Sequence, residues 1–492
     1  MRVFAPQISV KLVKAVKRGD IVPGMKAADR YAKLDAIDLT AFLGETGSVQ
    51  VTKSVREPAG GFNITFRDSL GNDGKGEHLV ADTVAALVEP MDLIEIRFCR
   101  DPMLYKPGEW PPVVMRGLVS EVTRVESMTG DAPSRTVTVA GQDFGKVMQI
   151  IQIYYLNNSQ IGDNLLSEWG FFHKYADASD AKIMLAKAFV EDVVSGIIDK
   201  YLKALTALAN GESVGAKVIN EWSIDVSIDG AVSPWAVQTF NNVSLYQMLC
   251  SLLDVGPFNE LFTEDTVDGV KLVVRPNPFL AADGSPINGN KPEEVKLTDK
   301  EIISMSLTRT DAGVANYYWV SSSRLPFMNN EDAQFAAMTG DPKTFILFDY
   351  LNCKRDFYGY RKMEVETTMV DPSYFASEAT KEPTIDNNND SLTGWLDKRR
   401  KALSESNKDN VVFEGGTIQC MGDEHLKAGR QLVLTRANAL PVTAYIPKVQ
   451  HNFQPLQGFT TTLTLERVTT FIERAKAKTA QYLPEINADG VK

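Results

Sequence analysis

The most regular hydrophobic pattern in the chain lies near its C-terminal end, between Pro441 and Arg467. In the first part of that stretch Tyr445, Val449 and Phe453 fall on one face of an extended chain, with Lys448, Gln450, Asn452 and Gln454 on the other. In the second part Phe459, Leu463 and Leu465 oppose Thr460, Thr462, Thr464 and Glu466. A period of two marks a strand buried on one side. Pro455 to Gly458 supplies turn chemistry between the parts, so the stretch predicts a β-hairpin. Phe459, Leu463 and Leu465 are expected to fill a barrel interior, and the threonine row to point away from it.

The same alternation recurs upstream. Ile37 to Leu43, Ser48 to Val55 and Gly61 to Asp68 read as strands, the last with Phe62, Ile64 and Phe66 alternating with Asn63, Thr65 and Arg67. Pro90 to Phe98, Val114 to Val125 and Arg135 to Lys146 continue the series, with turn residues such as Gly71-Asn-Asp-Gly-Lys-Gly in between. Short strands so separated predict a small barrel or sandwich over 37–148. The period then changes. From Ile183 to Leu208 apolar residues recur every three or four positions, which predicts a long amphipathic helix stopping near Asn210-Gly211. Ser244 is placed to cap a helix running to Asp254, with strands at Trp222–Ile228 and Gly269–Pro276. A β-pattern returns at Ile302–Val320, and again from Val411 to the hairpin. Between them lie an aromatic-rich segment (Phe345 to Tyr360), a strand from Lys362, a polar loop over Pro383–Asp390 and a helix from Leu392 to Ser404. The expected class is α+β and β-dominated. Two β-barrel domains, 37–148 and 298–326 plus 411–472, carry a helical and α/β insertion at 149–297 and a second insertion at 327–410. Residues 1–36 form an N-terminal basic arm and 473–492 a polar tail.

Composition narrows the chemistry. A length of 492 residues allows about three domains. No stretch approaches the roughly 20 apolar residues of a membrane helix, so no membrane insertion is expected. Pro6 and Lys11 interrupt the N-terminus where a secretory signal would be apolar, so assembly in a cytoplasm is expected. The net charge of −11 disfavours tight duplex binding, which needs clustered cations. The arm is locally basic: Lys11, Lys14, Lys17, Arg18, Lys26, Arg30 and Lys33 face only Asp20, Asp29 and Asp35. It reads as a docking arm for an acidic neighbour or as a solvated terminal helix. Four cysteines and four histidines are scattered, with no disulfide framework and no metal-ligand spacing. The Gly71 loop lacks a P-loop setting, and no Gly-x-Ser-x-Gly elbow occurs. Asp163 and Glu168, beside Trp169-Gly-Phe-Phe-His173, come nearest to the paired carboxylates of a cell-wall hydrolase. Isolated acids at such spacing are ordinary surface residues, and the cluster reads better as helix-end packing. No catalytic residue, cofactor or metal is expected.

The order of segments carries a resemblance. Thr136-Val-Thr-Val-Ala-Gly-Gln-Asp-Phe, with Gly141 and Asp143, resembles the Val-x-Gly-Arg-Asp-Leu segment closing the first barrel of phage baseplate hub proteins, the late-control family of contractile tails. Gln142 stands where that pattern has Arg. Ile302 to Val320, containing Asp311 and Asn316, is similar to the family segment that opens the second barrel. Leu426 to Thr435 with Gly429, followed by the hairpin with Tyr445, Phe453, Gly458, Phe459, Leu463 and Leu465, resembles the strands that close it. The likeness spans most of 37–470 and leaves out 1–36 and 327–410. It implies two tail-tube-like barrels per chain and a homotrimer that adapts a sixfold tail tube to a threefold spike. The implied partners are the tail tube or tube-initiator protein, the central spike protein and other baseplate wedge proteins. DNA would pass through the lumen without specific binding, and the location would be the virion tail baseplate. Hubs of phage-derived contractile injection systems fit the same pattern. A tail-associated cell-wall hydrolase with its site in 149–297, and an adhesin built of β-domains, are the competing functions.

Overall fold

Thirteen strands pair into one continuous sheet. The first seven are β1 (Gln7–Val13), β2 (Ile37–Asp38), β3 (Ser48–Ser54), β4 (Gly61–Arg67), β5 (Leu93–Cys99), β6 (Val113–Thr129) and β7 (Ala132–Asp143). They lie in the order β3-β4-β7-β6-β5-β1-β2. A separate three-stranded sheet follows in the chain, formed by β8 (Trp222–Val226), β9 (Asn259–Asp265) and β10 (Val270–Pro276), with β10 in the middle. The large sheet then resumes with β11 (Glu294–Thr298) and β12 (Ile302–Thr308). It leaves out β13 (Tyr317–Ser322) and β14 (Lys362–Thr367), which pair with each other in parallel. It ends with β15 (Glu414–Met421), β16 (Arg430–Thr435), β17 (Val442–Gln454) and β18 (Gly458–Val468). This second set lies in the order β12-β15-β18-β17, and β17 pairs with β3; β16 adds to β17, and β11 to β16. The computed structural model of the chain describes residues 6–13, 37–67, 84–106, 109, 111–129, 132–153, 183–208, 222–232, 243–289, 291–322, 350–371, 385–436 and 441–471. The basic residues at 14–33, the Gly71 loop, Asp163, Glu168, the Trp169–His173 cluster, Asn210-Gly211 and the tail lie outside them.

Each set of strands encloses its own apolar core. Val10, Leu12, Val51, Ile64, Phe66, Ile96, Phe98 and Val139 fill the first. Leu297, Ile418, Leu432, Leu434, Ile446 and Val449 fill the second. The hairpin β17–β18 serves both. Phe453 and Phe459 at its tip join the first core, where Phe459 stacks on Phe98 with ring centres 4.8 Å apart. Leu463 and Leu465 along its stem join the second. Thr460, Thr462 and Thr464 alternate with these buried residues and are half-buried on the opposite face.

Strand β17 is the joint between the halves. Val442 to Ile446 pairs with β16, Val442 opposite Leu434 and Ile446 opposite Arg430, whereas Lys448 to Phe453 pairs with β3. Pro447 sits where the partner changes; it has no N–H to donate, and its carbonyl accepts from the Val55 N–H at 2.9 Å. Against β18, the strand carries one extra residue between the Tyr445–Glu466 and Lys448–Thr464 pairs, a β-bulge. This bulge corrects the expected facing of the hairpin. Tyr445 does not share a face with Val449 and Phe453. Val442, Ala444 and Ile446 turn into the second core with Val449, while Tyr445 points the other way, onto Val55, Phe262 and Val273. One inserted residue inverts a period-two pattern.

Other expectations shift for local reasons. Residues 7–13 fall in the expected basic arm, but Gln7–Val13 is a strand along β5, because Ile8, Val10 and Leu12 alternate along it. Tyr317 to Val320, expected to help open the second barrel, lies in β13; Tyr318 and Val320 pack with Leu396 and Leu403. The helix α4 (Ile385–Asn407) starts before the expected Leu392 and replaces the end of the predicted polar loop. The long amphipathic helix is present as α1 (Ala186–Val193) and α2 (Asp199–Leu208), joined by a π-helical turn at Val194–Ile198. The Ser195 hydroxyl there donates to the Glu191 carbonyl at 2.9 Å, a back-bond that competes with the regular helix ladder. The α3 helix (Leu245–Leu252) begins with the expected Ser244 cap, closed by Gln247 into a capping box.

Gly141 of β7 has a steric role. A Cβ there would lie 2.3 Å from the Phe62 ring and 2.5 Å from the Leu118 carbonyl. Gly141→Ala must therefore displace a fully packed aromatic ring, and we expect a loss of about 1–3 kcal/mol in urea unfolding.

Candidate functional site: a buried ionic seam

The β9 sequence, Asn-Glu-Leu-Phe-Thr-Glu-Asp, places three carboxylates on a strand of the middle sheet: Glu260, Glu264 and Asp265. Each one meets cations or hydroxyls from the large sheet. Asp265, 4% exposed, takes the Lys53 ammonium of β3 at 2.5 Å, and Lys53 also reaches Asp143 of β7 at 2.7 Å. Glu264 accepts from Arg430 of β16 at 2.6 Å and from Lys427 at 3.3 Å. Glu260, 1% exposed, receives the Tyr445 hydroxyl at 2.6 and 2.8 Å and the Arg275 Nε at 3.2 Å. Arg275 in turn donates to the Gly429 carbonyl at 2.7 Å. Gly429 holds φ +81°, a left-handed conformation that suits glycine. Arg116 of β6, 2% exposed, donates to the carbonyls of Thr266 and Gly269 in the turn after β9, and to Glu95 at 3.0 Å.

Opposing effects set the protonation of this seam. Burial pulls the Lys53 ammonium down, but Asp143 and Asp265 together hold it above the usual lysine value. Burial pushes Asp265 up, against the opposing pull of Lys53. It pushes Glu260 up as well, despite Arg275 and Arg56. The Tyr445 phenol lies well above its ordinary value, through burial and the adjacent Glu260 charge. Tyr445 therefore stays a hydroxyl donor. A cavity of about 40 Å³ lies along the seam, lined among others by Lys53, Glu264, Asp265, Glu424, Lys427 and His451.

The seam gathers some of the residues singled out from the sequence. Asp143, Gly429 and Tyr445 are part of it. Gly141 lies two residues before Asp143 on β7. Phe453, Phe459, Leu463 and Leu465 are core residues of the hairpin, and Gly458, at φ +90°, is its turn. Asp311 and Asn316 form a separate group. Asn316 donates to the Cys353 and Gly359 carbonyls and accepts from the Arg361 N–H, while Asp311 pairs with the Arg361 guanidinium at 2.6 Å. The sequence reading missed Lys53, Arg116, Glu260, Glu264, Asp265 and Arg275. Lys53 carried a signal, since it occupies the same parity as Val49 and Val51, which are buried.

Among the described residues one group has metal-like proximity, Asp423, Glu424 and His425. Its atoms are engaged within the protein. Glu424 accepts from the Arg100 N–H at 3.0 Å and the Tyr105 hydroxyl at 2.6 Å, and Asp423 faces the His425 ring at 3.1 Å. These contacts tie the loop after β5 to the loop after β15. Arg100 adds an ion pair to Glu301 at 2.7 Å.

No known protein-family profile and no curated protein matches the chain. Similar solved structures exist. A tail protein from Neisseria meningitidis is 9% identical, with 93% of this chain and 96% of that chain covered and a TM-score of 0.45. A 43 kDa tail protein of prophage MuSo2 from Shewanella oneidensis is 11% identical, with 94% and 96% covered and a TM-score of 0.42. An Escherichia coli type VI secretion component, itself described as similar to T4 bacteriophage tail proteins gp27 and gp5, is 8% identical, with 86% and 73% covered and a TM-score of 0.39.

Removing one partner of a buried ion cluster leaves charge without compensation. Lys53→Met should cost about 3–5 kcal/mol of stability, and Asp265→Asn in the same chain should recover part of that loss. Urea unfolding of the two variants measures both. His451 gives a second expectation. Burial holds its imidazole down at about 4, against an ordinary 6.5, and its Nδ1 lies 2.9 Å from the Thr461 hydroxyl. The unfolded chain thus binds a proton below pH 6.5 that the fold refuses. The His451 contribution is complete above that pH and falls by about 1.4 kcal/mol per unit down to about 4. Comparing wild type with His451→Gln between pH 7 and pH 4 isolates this slope from the oppositely directed Glu260 and Asp265.

Proposed function

We propose that the chain is a structural hub subunit of a contractile-tail baseplate or of a related injection machine. It acts as a homotrimer between a sixfold tail tube and a threefold spike. The observation that carries this reading is the joining of two β-halves, each with its own core, into one sheet through β17 and β3. A threefold particle presents six comparable surfaces only if each chain carries two. The ionic seam adds rigidity, since the middle sheet is fastened to strands of both halves through β3, β6, β16 and β17.

The role is structural and not enzymatic. The most buried carboxylates described are occupied by cations, hydroxyls or backbone N–H groups that hold parts of the fold together. In this reading the 37–148 and 298–326 plus 411–472 regions are tube-like and form the ring, and the spike, tube and wedge proteins are its neighbours. The net charge of −11 suits a channel through which DNA slides without sticking. The hub assembles in the host cytoplasm and ends in the virion tail.

Native mass measurement of the purified chain tests the assembly. A species of three times 54.3 kDa is expected, and a stable dimer or hexamer overturns the hub reading. A cell-wall zymogram tests the role: clearing that disappears on changing Asp163 or Glu168 would make the chain a hydrolase instead.

A further inference from the structure

The helix α4 turns different faces to different neighbours. Leu396 and Leu403 pack with Tyr318 and Val320 of β13. Trp395, Lys398, Arg399, Ala402 and Ser406 follow one another at three- and four-residue steps and share another face. That face lines a cavity of about 240 Å³, whose opposite wall is the turn before β9 and the end of β10. Asp229, exposed to solvent, lines it as well.

The buried side chains of this face are short of acceptors. Arg399 is 8% exposed and Trp395 1%. The Arg399 guanidinium carbon lies 4.5 Å from the centre of the Phe258 ring and 4.4 Å from that of Trp395, which fixes its place. Its Nη2 reaches one oxygen of Asp254 at 3.1 Å, a single contact where a guanidinium and a carboxylate often make two. Asp254 has other claims on it. The Thr367 hydroxyl donates to the same oxygen at 2.5 Å, and the Thr368 N–H and hydroxyl donate to the other at 2.8 and 3.1 Å. The Nε of Arg399 and the Nε1 of Trp395 are buried and have no hydrogen-bond partner among the described residues. Buried N–H groups rarely go unmet, and here two stand on neighbouring side chains. Burial pulls the Arg399 guanidinium below its ordinary value despite Asp254 and Asp229. The Lys398 ammonium, 5.4 Å from the centre of the Trp395 ring, adds a third donor and a positive charge.

We propose that this cavity binds a carboxylate, whose oxygens accept from Arg399 Nε, Trp395 Nε1 and Lys398 Nζ. The unmet groups are all donors, so the ligand must be an acceptor. A planar carboxylate matches the free edge of a guanidinium. A single negative charge suits the cavity better than the double charge of a phosphate, because Asp229 lines the same space. The volume is larger than a carboxylate needs and leaves room for the molecule that carries it. That molecule is a free small acid or the terminus of a peptide chain. The inference goes beyond the hub reading and does not depend on it.

Indole nitrogen-15 labelling of the full chain tests it, since the chain has six tryptophans. The Trp395 signal is identified by its loss in Trp395→Phe or its displacement in Lys398→Gln. Titration with acetate should move that signal to saturation, with a Kd of roughly millimolar order, the range open to so small a ligand. Acetamide, uncharged and of the same shape, should leave it in place. Arg399→Lys keeps the charge but loses Nε, and should raise the acetate Kd by about tenfold or more. That change disturbs a buried pair, so Lys398→Gln, at an exposed position, is the control that keeps the fold; it should raise the Kd about threefold. N-acetyl-triglycine separates the two sources: binding tighter than acetate assigns a peptide terminus, and weaker binding assigns a free acid. Four results overturn the proposal: a Trp395 signal unmoved by acetate at roughly 100 mM, an equal shift with acetamide, tighter binding of inorganic phosphate, or an acetate Kd unchanged in Lys398→Gln. None of them bears on the hub reading.

Discussion

A single ammonium held between two carboxylates is the contact on which the arrangement of the parts depends. Lys53 stands on the strand that joins the two halves of the large sheet, Asp143 closes the first half, and Asp265 belongs to the middle sheet. None of the three can be buried alone, because an unpaired ion in the interior costs several kcal/mol. Each is tolerated only when the other segments are in place. Hydrophobic burial makes each core stable, but it is not specific about how cores sit against one another. The ion cluster is specific, since it is satisfied in only one register.

The same logic extends along β9. Its Leu261 packs into the apolar core of the middle sheet and Phe262 against Tyr445, and its three acids meet Tyr445, Arg275, Arg430, Lys427 and Lys53 from segments far apart in the chain. The proposed place between a tube and a spike calls for parts that do not slide. Apolar faces between sheets allow small shifts at little cost, whereas displaced ion pairs in a buried seam lose their partners outright. The continuous ladder through β17 and β3 adds a main-chain connection where a flexible linker would have left the halves independent.

What the sequence revealed follows from the range of the interactions. The hairpin, the Ser244 cap and the amphipathic helix depend on neighbours within a few residues, and their periods are readable. The bulge near Pro447 was not, because Val442 to Val449 is apolar on both parities and offers no alternation to break. The seam was harder still. Every partner in it is distant in sequence, and a charge such as Lys53 in an otherwise alternating strand says only that a counterion exists somewhere. The residues that matched the hub pattern mark positions where the backbone is constrained, such as Gly141 beneath Phe62, more than positions where chemistry occurs.

The hairpin that divides its side chains between two cores also orders events in time. Phe98 is synthesised early, yet the ring that stacks on it is Phe459, near the end of the chain. The first half therefore cannot complete its interior while the ribosome is still making the insertions. Until the last strands emerge, the β5 side of that core stays open, and a chain truncated before the hairpin is unfinished at both ends. Emergence of the last strands, and not the completion of the earlier ones, is the moment at which this core closes.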